Sequence, residues 1–510
     1  MDDVLIAPDI DYLAVAPMII VGVTAVVGVL VEAFAPRRPR RGIQLVLTFG
    51  ALIAAFVVLI SQAGTRVITG SLAIDGPSLV LQGLILLIAI VSAMLMAERR
   101  VDPAGDAFSP RASALPGSEE ERVLSTRGFM QTEVWPLMLF AVVGMMLFTA
   151  ANDLLVMFIA LEIMSLPLYL LAGMSRRRRL LSQEAALKYF ILGAFSSAFF
   201  IFGAAMLYGF SGTISLPGIA DALSANPGQT PLIFIGFGLV VIGLLFKVGA
   251  VPFHQWVPDV YQGSPSAVTA FMAAAVKVAA FGALLRFLYV AFGGARWDWQ
   301  PALWIIAIAT MLVGSILAIT QTDIKRMLAY SSIAQAGFIL VGVIAVNPEG
   351  VAAVMFYLAA YGFATLGAFA VISLVRQDGG EATHLSNWAG LGKRSPVLAL
   401  SMSLFMLSFA GIPLTSGFIG KFTVFEAAIL ADAVPLVIVG VIASIIAAFF
   451  YVRVIVLMFF TEPAEVGPTV VLPSVFTTLV LAISVAVTVI LGVFPQPVLD
   501  LVEQANVFLR

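Results

Sequence analysis

The chain has no cysteine in 510 residues and only two histidines, His254 and His384. The first absence excludes disulfides, thiolate metal sites and cysteine-ligated iron-sulfur clusters, and the second leaves little for haem or zinc. Charge is equally scarce. Only 11% of residues are charged and the net charge is −2, so no bulk field exists to attract nucleic acid. The glycine-rich stretch AGLG at 389–392 lacks the lysine and serine of a phosphate loop, which argues against ATP as an energy source. The opening MDDVLIAPDIDYLAV carries acids where a secretory signal carries positive charge, so the first apolar run is expected to be retained.

What is abundant is apolar surface. Hydrophobic residues make up 61% of the chain and the mean hydropathy is +1.07, a balance incompatible with a water-soluble protein. Apolar runs near twenty residues recur from end to end. At about 35 residues per crossing and loop, the length accommodates about 14 or 15 spanning helices. The windows lie near 14–35, 43–61, 78–97, 129–150, 153–174, 184–209, 231–262, 265–291, 302–321, 327–346, 350–375, 396–430, 434–460 and 473–494. The fold class is therefore an all-α polytopic membrane protein of about 14 transmembrane helices.

Eighteen of the 27 Lys and Arg residues fall in loops on one side, including Arg37, Arg38, Arg40, Arg41, Arg127 and Arg176 to Arg179. Only Arg66, Arg296 and Arg510 fall on the other. The positive-inside rule makes the first side cytoplasmic and places both termini in the periplasm. The loop from Glu98 to Gly128 mixes both signs with Pro and Ser and reads as a solvated connector.

Two windows, 231–262 and 396–430, are too long for one straight crossing, and each contains a glycine-proline interruption: GAVP at 249–252 and GIPLTSG at 411–417. Proline removes a backbone donor and glycine relaxes the turn, so both read as broken helices. Irregular backbone at that depth is tolerated only where it faces protein or a wet cavity, which marks an ion path. The breaks sit five spans apart. Spans 4–8 and 9–13 then form two inverted five-helix repeats, each with a broken helix, as in secondary transporters. This divides the chain into an N-terminal three-helix segment and loop (1–128), a first repeat (129–291), a second repeat (302–460) and a C-terminal loop and helix (461–510).

Six basic residues fall inside spans: Lys188, Lys247, Lys277, Arg286, Lys421 and Arg453. A lysine at the bilayer centre costs about 2.5–3.5 kcal/mol, so each needs a pathway, a partner or a route to the interface. Arg286 and Arg453 lie near span ends and read as snorkelling or structural. Lys247, Lys277 and Lys421 flank the two breaks. Only one acid, Glu162 in LEIMSLPLYLL, lies deep in a neighbouring span, and one carboxylate cannot pair three ammonium groups. These lysines read as proton relay sites, with Glu162 as the complementary end of the line. Lys188, four residues into its span, could relay or snorkel. His254 could extend the line toward the cytoplasm or simply pack against its aromatic neighbours. Tyr330, Ser331, Ser332 and Gln335 in the second repeat could order water, and no acid there matches Glu162.

The runs EAALKYFILGAFSSAFFIFGAAMLYGFSGT, FKVGAVPFHQWVPDVYQGSPSAVTAFM, TDIKRMLAYSSIAQAGF and LSFAGIPLTSGFIGKF resemble the N-type antiporter-like subunits of bacterial NADH-quinone oxidoreductase, respiratory complex I. The mitochondrial counterpart is NADH dehydrogenase subunit 2. The resemblance covers roughly residues 129–460. It implies a proton-translocating subunit in the bacterial inner membrane, driven by quinone reduction elsewhere. Glu162 and Lys247 would form an input pair, Lys277 the central relay and Lys421 the exit lysine, with Lys188 and His254 along the same axis. It implies no cofactor in this chain: FMN, iron-sulfur clusters and quinone would belong to partner subunits. The partners would be sibling antiporter-like subunits, small membrane subunits and lipids. Shorter motifs such as PFHQW are shared with Mrp-type sodium/proton antiporters, which leaves a subunit of that kind as the alternative.

Overall fold

Nearly every regular element of the computed structural model is a helix. It describes residues 10–102, 105–111, 113–126, 130–225, 231–377, 380–463 and 467–510; Arg127 of the basic loops lies outside them. The first three apolar windows form α1 (Tyr12–Phe34), α2 (Arg37–Ser61) and α3 (Gly76–Met96), with a hairpin of β1 (Val67–Thr69) and β2 (Leu72–Ile74) before α3. A short polar helix α4 (Glu119–Thr126) follows, then α5 (Val134–Ala150), α6 (Leu154–Ala172) and the long α7 (Arg179–Ser211). A small helix α8 (Leu216–Ala225) leads to the first broken helix, α9 (Pro231–Val248) and α10 (Trp256–Gly263).

The next span runs over Ser266–Ala291 and is not uniform. It starts as α11 (Ser266–Phe271), widens into a π turn at Met272–Val276, continues as α12 (Lys277–Arg286) and widens again at Phe287–Ala291. Then come α13 (Arg296–Ile319), α14 (Ile324–Ile344) and α15 (Pro348–Leu374), and the little α16 (Leu391–Arg394) before the second broken helix, α17 (Pro396–Ala410) and α18 (Ser416–Leu430). The chain closes with α19 (Val434–Phe460), α20 (Val475–Val493) and α21 (Gln496–Gln504). A small antiparallel sheet on the loop side orders β4 (Gly380–Glu381), β3 (Val375–Gln377) and β5 (Thr469–Val470).

Among the described residues, twelve helices are long and apolar enough to cross a membrane alone. With the shorter α5 and the broken α17–α18 pair, they account for all fourteen windows read from the sequence. The helices begin where side chains can cap their free N–H groups. Asp75 forms a capping box with Ser78, and Asp11, Asp153, Asp323 and Asn347 accept from first-turn amides of α1, α6, α14 and α15.

Burial divides the helices into a spine and a shell. The most apolar stretch of Ser266–Ala291 is 100% buried, and α14 and α15 are nearly so, whereas only 33% of the corresponding stretch in α1, α2 and α19 is covered. A helix apolar all round must be surrounded by protein or lipid, so the spine lies inside the bundle while the shell turns its uncovered apolar surface outward.

Both breaks obey the same local rule. Gly249 (φ +80°) and Gly411 (φ +81°) adopt the left-handed conformation just past α9 and α17, and each donates its N–H back into the last turn. Pro252 and Pro413 stand shortly beyond, where the helix has already stopped.

Candidate functional site

Lys247 occupies the last turn of α9 and is 2% exposed. Its ammonium lies 5.2 Å from the ring centroid of Tyr169 and 5.0 Å from that of Tyr189, within cation–π range. The cage is itself built: Tyr169 and Tyr189 meet edge to face at 4.7 Å, and Tyr189 stacks on Trp256 at 4.6 Å. Trp256 donates its indole N–H to the carbonyl of Phe246 at 2.9 Å, tying α10 to the end of α9. Among the described residues the Lys247 ammonium has no hydrogen-bond partner.

Glu162, half-buried on α6, accepts the hydroxyl of Ser197 on α7. It makes no ion pair with Lys247 among the described residues. The structure therefore places the two expected partners in one region without direct contact. Local groups explain this, since Ser197 takes the carboxylate and the aromatic cage takes the ammonium.

Lys277, 3% exposed, begins α12 directly after the π turn. It donates to the carbonyl of Val248 at 3.0 Å and to that of Ser332 at 2.9 Å. Val248 is the last residue of α9, so the ammonium sits on the negative end of a half-helix whose carbonyls have lost their helical donors. Lys421, on α18, repeats the arrangement at the second break. It donates to Phe409 and Ala410 carbonyls, both at 3.0 Å, and to the Ser444 hydroxyl at 2.8 Å, with the Phe338 ring at 4.5 Å. Neither lysine pairs with a carboxylate among the described residues.

A polar line joins these two lysines. From the Ser332 carbonyl held by Lys277, a one-residue step along α14 reaches Ser331, whose hydroxyl meets the Tyr451 hydroxyl at 2.5 Å. One turn further on, Gln335 donates to the Tyr451 oxygen at 3.2 Å and to the Phe409 carbonyl at 2.9 Å, and accepts from Tyr357 at 2.5 Å. Phe409 is the carbonyl that Lys421 also binds. Tyr261 approaches Ser332 from the first broken helix at 3.4 Å. Ser331, Ser332 and Gln335 thus share one face of α14, while Tyr330 stays outside the line.

Lys188 is partly exposed and bridges two acids, Glu184 and Asp259, at 2.7 Å each. Asp259 on α10 also takes Arg326 at 2.6 Å, so one carboxylate ties α7 to α14. His254 lies in the irregular segment between α9 and α10, half-buried. Lys325 donates to the Ser264 carbonyl at 2.6 Å and pairs with Glu381 at 3.0 Å. Burial pushes the Glu381 carboxyl up, but Lys325, Arg376 and hydrogen bonds outweigh it and hold the group below its ordinary value.

Of the remaining membrane cations, Arg286 is fully buried and paired with fully buried Asp75 at 2.7 Å. That settles its reading as structural rather than snorkelling. Arg453 is exposed and donates to the Ile319 carbonyl at 3.1 Å.

Tyr169, Tyr189, Tyr357, Tyr451 and Ser197 were not singled out from the sequence. The available signal was a tyrosine hydroxyl inside an apolar span, which when buried seeks a polar partner.

Residues 151–447 match the family described as NADH:quinone oxidoreductase/Mrp antiporter, TM. The chain is 60% identical to NADH-quinone oxidoreductase subunit N of Rhodococcus opacus, over 99% of this chain and 97% of that one. It is 55% identical to the subunit of the same name from Mycobacterium tuberculosis, over 99% and 100%. A chain in the structure of respiratory complex I from Thermus thermophilus with bound aureothin superposes with a TM-score of 0.77 at 33% identity, covering 95% of this chain and 98% of that one. A chain of the Mrp complex from Dietzia sp. shares the fold, with a TM-score of 0.80 at 22% identity over 97% of each. The chain belongs to the NADH:quinone oxidoreductase/Mrp antiporter membrane family, with the N subunits of NADH-quinone oxidoreductase as its full-length relatives.

Proposed function

We propose that this chain is a proton-translocating membrane subunit of an NADH:quinone oxidoreductase, moving protons through Glu162, Lys247, Lys277 and Lys421 as quinone is reduced in other subunits. The observation that carries the reading is the line from Lys277 to Lys421, in which two buried ammonium groups hold the backbone carbonyls of Ser332 and Phe409, and Ser331, Tyr451 and Gln335 are hydrogen-bonded in series between those carbonyls. An ammonium stabilised only by neutral groups responds strongly to a charge arriving nearby, because no fixed carboxylate compensates it. Serine, tyrosine and glutamine can each pass a hydrogen-bond reorientation along without becoming charged.

In the first half, Glu162 supplies the negative charge and Lys247 the positive one. Rotation of Glu162 away from Ser197 toward the aromatic cage would join the pair and alter the proton affinity of both. Lys188 and His254 are assigned to the cytoplasmic approach, where Asp259 connects Lys188 to Arg326. The two broken helices and their matching lysines support the division into inverted repeats 129–291 and 302–460.

FMN, iron-sulfur clusters and quinone are assigned to partner subunits, and the neighbours in the membrane to sibling antiporter-like and small membrane subunits. The chain is assigned to the bacterial inner membrane, with the arginine-rich side cytoplasmic and both termini periplasmic.

The test is to purify the tagged chain from native membranes in mild detergent and assay NADH:quinone oxidoreductase activity. Co-purifying activity is expected. Recovery with hydrophobic subunits alone, without NADH oxidation and with sodium-dependent exchange, would favour an Mrp-type antiporter.

A further inference from the structure

On the arginine-rich face, the hairpin between α1 and α2 borders a cavity of about 920 Å³. Among the described residues six arginines line it: Arg37, Arg38, Arg40, Arg41, Arg99 and Arg111. Its two carboxylates are already engaged. Glu32 is saturated by Arg40 at 3.0 Å, Gln44 at 2.7 Å and Thr132 at 2.8 Å, and Glu133 accepts Gln131 at 3.0 Å. Arg111 points to Glu120 at 2.5 Å. Among the described residues Arg38, Arg41 and Arg99 form no ion pair, and Arg41 donates one N–H to the Ala97 carbonyl at 2.8 Å.

The second observation comes from α2. It begins RRPRR at 37–41, with no acid in the first turn and a proline, Pro36, at the cap position that supplies no side-chain hydrogen bond. Four guanidinium groups therefore crowd the positive end of a 25-residue helix, where the macrodipole repels them. Topology needs positive charge on this side of the membrane, but it does not need it in the first turn of a helix beside an open cavity. An anion there would meet the guanidinium groups of Arg38, Arg41 and Arg99 beside the positive end of the helix.

Directly beside the arginines the helix faces are apolar and uncovered: Phe34 is 82% exposed, Val46 74% and Leu30 51%. A ligand with a phosphate head and acyl tails matches both surfaces. We propose that this cavity binds a phosphate-bearing ligand, the headgroup of an anionic phospholipid whose tails lie on α1 and α2. Arg38, Arg41 and Arg99 take the phosphate oxygens.

The test uses the complete respiratory complex purified from native membranes, with and without Arg38→Gln/Arg41→Gln/Arg99→Gln. Retained phospholipid is extracted and quantified. Thermal stability is then followed after delipidation, on titration with dioleoyl phosphatidylglycerol, dioleoyl phosphatidylcholine or inorganic phosphate. The variant should retain less anionic phospholipid and need roughly tenfold more phosphatidylglycerol for half-maximal stabilisation, because charge-assisted bidentate contacts are lost. Phosphatidylcholine should not substitute. Stabilisation of the parent complex by inorganic phosphate alone would uphold the phosphate site and assign it a soluble source. Equal lipid retention with unchanged titrations would overturn the proposal, as would loss of a neighbouring subunit with lipid content intact, which would make the surface a protein contact. Should the glutamine variant fail to assemble, Arg38→Lys/Arg41→Lys/Arg99→Lys keeps the charge and loses only the bidentate geometry; a titration identical to the parent's then counts against the site.

Discussion

Lys277 and Val248 stand 29 residues apart in sequence, and the ammonium of one donates to the carbonyl of the other at 3.0 Å. Val248 is where the first broken helix stops. The same device recurs at the second break, where Lys421 takes the carbonyls of Phe409 and Ala410. In each case a helix is interrupted inside the membrane, its terminal carbonyls lose their helical donors, and a lysine supplies the replacement. The lysine's charge is stabilised by the half-helix dipole instead of by a carboxylate. The break and the buried cation thus form one structural unit, repeated in both halves of the chain.

Because Tyr451 and Gln335 are the steps between the two lysines, Tyr451→Phe should slow proton movement while preserving the packing of α14 against α19. A neutral hydrogen bond contributes about 0.5–1.5 kcal/mol, so the expected loss is roughly two- to tenfold. Gln335→Leu removes contacts to Tyr451, Tyr357 and Phe409 at once and should be more severe. Acidification of inverted membrane vesicles, followed with a pH-sensitive dye during NADH oxidation, measures both.

The spans and both breaks were legible because their signals are local: apolar length, then glycine and proline at a fixed place. The three lysines were legible because a cation in an apolar run is costly wherever its partners lie. Of the connecting residues, Ser331, Ser332 and Gln335 were legible as polar groups in an apolar span, but Tyr451 and Tyr357 were not. Ser331 and Tyr451 are 120 positions apart, and a tyrosine in a hydrophobic run reads as packing until its hydroxyl partner is known. The same holds for Arg286, whose partner Asp75 is 211 positions away and itself reads as a helix cap. The π turn before Lys277 escaped because MAAAV has no breaker residue. The Glu162–Lys247 pairing implied by family resemblance is not a contact here, since each group is held by closer partners.

Asp75 caps α3, pairs with Arg286 and accepts the amide of Leu509, so one carboxylate gathers three distant segments. Asp75→Asn leaves a guanidinium buried without a counter-charge. A destabilisation of about 3–5 kcal/mol is expected. It should appear as a lower thermal transition of the detergent-solubilised protein and reduced yield in membranes.

Glu381 anchors the small loop-side sheet to Lys325 and to the Ser266 amide. Its carboxyl titrates below the ordinary 4.5, despite burial, because Lys325 and Arg376 favour the charged form. A depressed acid contributes stability above its unfolded value and loses it as pH falls through the folded one. Hydrogen exchange of a peptide covering residues 380–394 should therefore be steady, after correction for intrinsic rates, from neutral pH down to about 4.5 and rise below that. Glu381→Gln should make exchange faster at neutral pH and remove the acid-dependent rise.

The most direct test of proton transport through this chain is the ratio of protons translocated to NADH oxidised in inverted membrane vesicles carrying Lys277→Ala. Loss of the ammonium that joins Val248 to Ser332 should lower that ratio while NADH oxidation in the presence of an uncoupler stays near the parent rate. An unchanged ratio in a fully assembled complex would contradict a relay through Lys277.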